Sequence, residues 1–281
     1  MPDVLVVANQ TIGRASLLEA VRSRAHADPD TSFRLVVPMT KPGSGLVIYD
    51  EAVREAAQVR VDLAVAFLGR EGIHATGEVG DEDPFAATMD AIRDGAVDEV
   101  IVSTLPATSS GWLRRDLIER IADASGLPVE HVVTDMAAEH LAFSVTVVVA
   151  NRTADDERLV ARLKEKAAAT DEGNEVFIVV IPQEGGTGNA AAVARARLGN
   201  TLDKLRGQGL MASGMIGDPD PYDATMNALQ IFTVDDVVIS TLPETRSGWL
   251  RADLVERVRK AANIEVEHVV AEAPETAATG S

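Results

Sequence analysis

Short runs of β-branched and aliphatic residues recur along the first half of this chain, at residues 4–8, 33–37, 73–79, 99–103 and 129–133. Each run is nearly continuous in apolar character, as expected of a strand covered on both faces in a parallel sheet. Between them, apolar residues return every three or four positions, which predicts helices over about 14–27, 50–70, 84–94 and 111–125. In the last of these, Leu113, Leu117, Ile121 and Ala124 form one stripe. Strands alternating with helices imply parallel pairing through right-handed crossovers, hence an α/β, doubly wound five-stranded sheet. Such sheets place ligands beyond the strand carboxyl ends where the winding reverses, here after the first and fourth strands.

The second half repeats the first. A shift of 137 residues lays 98–135 on 235–272, DEVIVSTLPATSSGWLRRDLIERIADASGLPVEHVVTD on DDVVISTLPETRSGWLRADLVERVRKAANIEVEHVVAE, with 22 of 38 positions identical. The same shift carries Gly77, Gly80, Asp81, Asp83, Pro84, Ala87 and Met89 onto Gly214, Gly217, Asp218, Asp220, Pro221, Ala224 and Met226. Near the starts of the copies the shift is 142, with VLVVAN at 4–9 answered by VTVVVAN at 145–151. Copy 1 is therefore longer, mainly between Pro38 and Gly72. The expected organisation is two tandem α/β domains at 1–140 and 141–272, a disordered tail at 273–281, and a partly packed join at 134–144.

Composition narrows the function classes. The chain has no cysteine, which excludes disulfides, thiolate catalysis and thiolate metal sites. Its 281 residues carry a formal charge of −18, and that field repels phosphate backbones and anionic lipid, so neither nucleic acid nor membrane is an expected partner. The start, MPDVLVVANQ, has no basic segment before its apolar run, and the expected compartment is the cytoplasm.

The longest shared motif, S-T-L-P-x-T-x-S-G-W-L-R-x-D-L, runs at 103–117 and 240–254 from a strand end through a loop into a predicted helix start. Ser110 and Ser247 stand where N-caps belong, and free N–H groups beside Ser109, Gly111 and Gly248 form a candidate anion site. Arg114 and Arg251 in a first helical turn would oppose the macrodipole, which points to an acidic partner or a bound anion; the alternative is an ion pair with Asp116 or Asp253 or with another helix. Ordinary capping also accounts for the serines, and Trp112 and Trp249 are expected to be packing anchors. Asn9, Gln10 and Thr11 follow the first strand, as Asn151 and Arg152 do in copy 2; Ser103, Thr104, Ser240, Thr241 and Arg246 belong to the strand-four loops. Asp81 and Asp218 at the third strand ends are candidates to assist a metal or a ribose hydroxyl, although a lone carboxylate is a weak metal signal, whereas Asp83-Pro84 and Asp220-Pro221 read as N-cap and first helical residue. No HxH or HExxH spacing exists, so no metal site is assigned, and His131 and His268 in the fifth strands are expected to be structural. The stretches KPGSG at 41–45 and EGGTGN at 184–189 lack the spacing of a phosphate loop.

Element order, domain size and the segment DEVIVSTLP…GWLR resemble the universal stress protein superfamily, in its tandem two-domain, actinobacterial form. The resemblance implies Rossmann-like sheets of strand order 3-2-1-4-5 and pairing through the fifth strand. That pairing would give an internal pseudo-dimer of 129–133 with 266–270, and it admits a homodimer. In many members it also implies an ATP site, built on an acidic residue after the first strand and a G-x2-G-x9-G-S/T run after the fourth. Here Asn9 or Asn151 and S-T-L-P stand at those places. Three readings follow. One is a stress-response or regulatory protein binding a nucleotide, ATP or another adenine nucleotide, or a small anion. The others are an interaction module with empty crevices, and a nucleotide-processing enzyme on the same fold.

Overall fold

The computed structural model describes residues 2–39, 50–106, 112, 116–170, 174–183, 188–243, 248–251 and 253–272. The chain divides into two compact units, Met1–Phe143 and Ser144–Ser281. The first unit contains β1 (Asp3–Val7), α1 (Ala15–Ala27), β2 (Ser32–Pro38), α2 (Asp50–Arg70), β3 (Ala75–Gly80), α3 (Pro84–Asp94), β4 (Glu99–Thr104), α4 (Leu117–Ser125) and β5 (Val129–Val133). The second contains β6 (Ser144–Val149), α5 (Glu157–Ala169), β7 (Glu175–Pro182), α6 (Ala190–Gly207), β8 (Met211–Gly217), α7 (Pro221–Ile231), β9 (Asp236–Thr241), α8 (Gly248–Arg251), α9 (Leu254–Ala262) and β10 (Glu265–Val270). Both sheets are wholly parallel, with orders β3-β2-β1-β4-β5 and β8-β7-β6-β9-β10. The protein is thus an α/β, doubly wound, Rossmann-like pair of five-stranded domains. No helix among the described residues is long and apolar enough to cross a membrane.

Local chemistry explains where the elements start and pack. The carboxylates of Asp83 and Asp220 accept the N–H groups of Phe85 and Tyr222, and proline follows each as the first helical residue, so α3 and α7 begin at equivalent places. The retained glycines of the third strands admit those helices. A Cβ at Gly80 would sit 2.6 Å from Ala87 Cβ, and one at Gly217 would sit 2.6 Å from Ala224 Cβ. One face of the first sheet buries Leu5, Val7, Val36, Val100 and Val102 against Ala87, Ala91, Leu117 and Ile121, with Trp112 packed on the cluster. The first helices are tied to the sheet by charge, Arg24 pairing with Glu99 at 2.8 Å and Arg162 with Glu267 at 2.5 Å.

Two features depart from the sequence expectations. The helix expected over 111–125 is α4, Leu117–Ser125, and in the second unit the corresponding stretch is two helices, α8 and α9. Asp116 (φ 49°) and Asp253 (φ 51°) are left-handed just before α4 and α9, which interrupts the ladder although the apolar stripe runs through. The outer strand β3 alternates between half-buried and exposed residues, as a strand does when only one of its faces is covered. The join packs back on the first unit through Phe143, whose ring lies 5.1 Å from that of Phe67, and the Ala142 N–H donates to the Gly13 carbonyl at 3.0 Å.

Candidate functional site

In both units the turn after the first strand is held by the same two side chains. The Asn9 amide donates to the Pro38 carbonyl at 2.6 Å, and that of Asn151 to the Pro182 carbonyl at 3.1 Å. The hydroxyl of Thr11 donates to the Ser103 carbonyl at 3.4 Å, and that of Thr153 to the Ser240 carbonyl at 3.0 Å. An Asn-x-Thr segment therefore links the end of the first strand to the ends of the second and the fourth. All four side chains are buried, whereas the intervening Gln10 and Arg152 are exposed at the rim.

The strand-four hydroxyls also face inward. Thr104 Oγ1 lies 2.9 Å from His131 Nε2, and Thr241 Oγ1 lies 2.8 Å from His268 Nε2. Burial lowers the pKa of both imidazoles, reinforced at His268 by the Arg259 charge, so the neutral ring is favoured. Ser103 Oγ is 3.2 Å from Thr134 Oγ1, which is itself 2.9 Å from Ser16 Oγ. Copy 2 has Ala271 where copy 1 has Thr134, and Ser240 Oγ, in a residue only 1% exposed, has no hydrogen-bond partner. Asp81 and Asp218 are exposed, and each accepts at 2.9 Å from the N–H two residues on, Asp83 and Asp220, which shapes the turn into the next helix.

Ser109, Ser110, Gly111, Arg114, Arg246 and Ser247 lie outside the described residues, as do KPGSG and most of EGGTGN. Gly248 opens α8 and Arg251 closes it. The stretch holding Arg251 is thus a single turn, separate from α9.

Two arginines at aligned positions of α6 and α2 are missing from the sequence expectations, and the first of them reaches this end of the second sheet. Arg197 of α6 donates through Nη1 to Asn151 Oδ1 and has no ion-pair partner among the described residues. Shifted by 137, Arg197 becomes Arg60 of α2. By surface area Arg60 is only half-covered, yet its guanidinium lies deep enough that burial pushes its pKa down to about 10, which keeps it charged at neutral pH. The same internal comparison that exposed the serine motif contains this pair, hidden because the helices around it have diverged. Thr153 was also missed, although the 142-residue shift places it on Thr11.

Among the described residues, no cluster of three or more His, Asp or Glu side chains is placed to hold a metal ion. No protein-family model and no curated protein matches the chain.

Proposed function

We propose that this is a universal-stress-protein-like regulatory protein that binds a small phosphate-bearing anion, a nucleotide or phosphate itself, where the first strand of each unit ends. The observation that carries the reading is Arg197, half-buried and held by Asn151 at the end of β6, with its charge unmatched by any described carboxylate. In a chain of formal charge −18, a cation withdrawn from water without an acidic partner is a ready receptor for an anion. Arg60 stands at the aligned position on α2 of the first unit. Binding without catalysis is the simpler role, because all four threonine hydroxyls are engaged within the protein, those of Thr11 and Thr153 with backbone carbonyls and those of Thr104 and Thr241 with His131 and His268.

The experiment is thermal and chemical denaturation with ATP, ADP, AMP and inorganic phosphate. A ligand at about 100 times its dissociation constant adds about 2.7 kcal/mol of stability. Arg197→Gln should remove the increment belonging to the second unit and Arg60→Gln that of the first. Absence of a shift with all four ligands overturns the proposal. It would favour the second reading, an interaction module without ligand, which rests on the internal hydrogen bonding of Asn9, Asn151 and the four threonines.

A further inference from the structure

The amino end of the first sheet holds a cavity lined in part by polar side chains, and the equivalent corner of the second sheet is filled. Side chains alternate along a strand, so Asp3 of β1, Ser32 and Arg34 of β2, and His74 and Thr76 at the start of β3 share one face. Helix α3 lies over that face but stops at Asp94. Together with the following loop, these side chains line a cavity of about 260 Å³. Gly95 in that loop leaves room for the arginine, since a Cβ there would fall 2.7 Å from Arg34 Nη1.

At the corresponding places the second unit carries Val145, Val176, Ile178, Met211, Ser213 and Phe232. Val176, Ile178 and Met211 are 0%, 2% and 6% exposed, an apolar filling of the same corner. The fold therefore does not require an opening there. In the first unit apolar residues have given way to one cation, one anion, an imidazole and hydroxyls around a cavity.

The charges in this cavity do not neutralise each other. Arg34 donates to the Ala91 carbonyl, Asp3 accepts from the Ser32 hydroxyl, and no ion pair joins Arg34 to Asp3. The Asp98 carboxylate, bonded at 2.9 Å to the Asp3 N–H, adds negative charge on the aspartate side. A ligand with only negative charge would be drawn to Arg34 and repelled by Asp3 and Asp98. A ligand carrying both charges satisfies both ends. The volume is just under the ~300 Å³ at which pockets begin to enclose drug-sized molecules. We infer that this cleft binds a small zwitterion of α-amino-acid size, its carboxylate on the Arg34 guanidinium and its ammonium on Asp3, with His74 and Thr76 at the rim.

Calorimetry and ligand-observed NMR on the full chain test this with glycine, L-alanine, L-serine, L-glutamate and L-lysine. Acetate and methylammonium serve as single-charge probes. The expected result is at least one amino acid bound about tenfold or more tighter than acetate or methylammonium, with a further loss of about tenfold in each of Arg34→Leu and Asp3→Asn. Gly95→Phe, which imports the side chain of Phe232, should abolish binding, and Arg197→Gln should leave it unchanged. The inference is overturned if none of the five amino acids binds. It is also overturned if acetate or methylammonium binds as tightly as they do. These comparisons use the unmodified protein, so they decide the matter even where a variant unfolds.

Discussion

Glu175 is only 3% exposed at the start of β7, and it shares the Thr146 hydroxyl with a second carboxylate, Asp236, at 2.5 Å and 2.8 Å. Burial raises its pKa, the Thr146 hydrogen bond opposes that, and the Asp236 charge raises it further against the pull of Lys166. A carboxyl whose folded-state pKa lies above its unfolded value contributes stability that is fully present below the unfolded pKa. That contribution is lost as pH rises through the folded pKa. The ionised Glu175 is therefore a cost at neutral pH. Glu175→Gln keeps an acceptor for Thr146 and removes the charge, so it should stabilise the protein at pH 7.5 by roughly 1 kcal/mol, with the advantage disappearing below pH ~4. Urea denaturation of both proteins at the two pH values checks this. Equal destabilisation at both would show that the hydrogen bond, not the charge, governs the site.

The left-handed aspartates show where an element escapes its sequence pattern. The stripe of Leu250, Leu254, Val258 and Ala261 is continuous at helical spacing, yet α8 ends at Arg251, Asp253 is left-handed, and α9 begins at Leu254. Periodicity records which residues face the core; it does not record a single residue with positive φ, which short polar side chains tolerate. Asp253→Val should therefore cost about 1–2 kcal/mol, since a β-branched side chain is poorly tolerated there, while Asp253→Gly should change stability by less than about 1 kcal/mol. Chemical denaturation midpoints of the two variants separate these outcomes; a tolerated valine would mean that the left-handed turn is not enforced. The strands, the doubly wound order and the cap-and-proline starts of α3 and α7 were legible because each rests on a local signal repeated in both copies. The candidate site was legible in location but not in chemistry. Asn9, Thr11, Ser103 and Thr104 were picked out by their places at strand ends, but whether a side chain faces a ligand or a neighbouring carbonyl depends on contacts between distant segments.

Across the whole molecule, duplication has kept the topology while the two outer third strands diverged. The central strands β1, β4, β6 and β9 are almost wholly buried in both units. β8 is buried along nearly its whole length, whereas β3 alternates with exposed residues and begins beside the polar cavity of the first unit. Opening a strand to water requires breaking its ladder to the one neighbour and uncovering whatever apolar surface its side chains hold. β8 has seven register pairs with β7 and buries Met211, Met215 and Ile216, while β3 has six with β2 and holds Thr76 and Glu78 in water. The ladders are nearly equal, so the side-chain cover decides the difference. Hydrogen–deuterium exchange followed on peptides covering 73–80 and 211–217 should show the first exchanging at least about tenfold faster, with β1, β4, β6 and β9 protected to the same degree in both units. Equal protection of β3 and β8 would mean that the two units open only as wholes, and that the polar amino end of the first sheet does not loosen its edge.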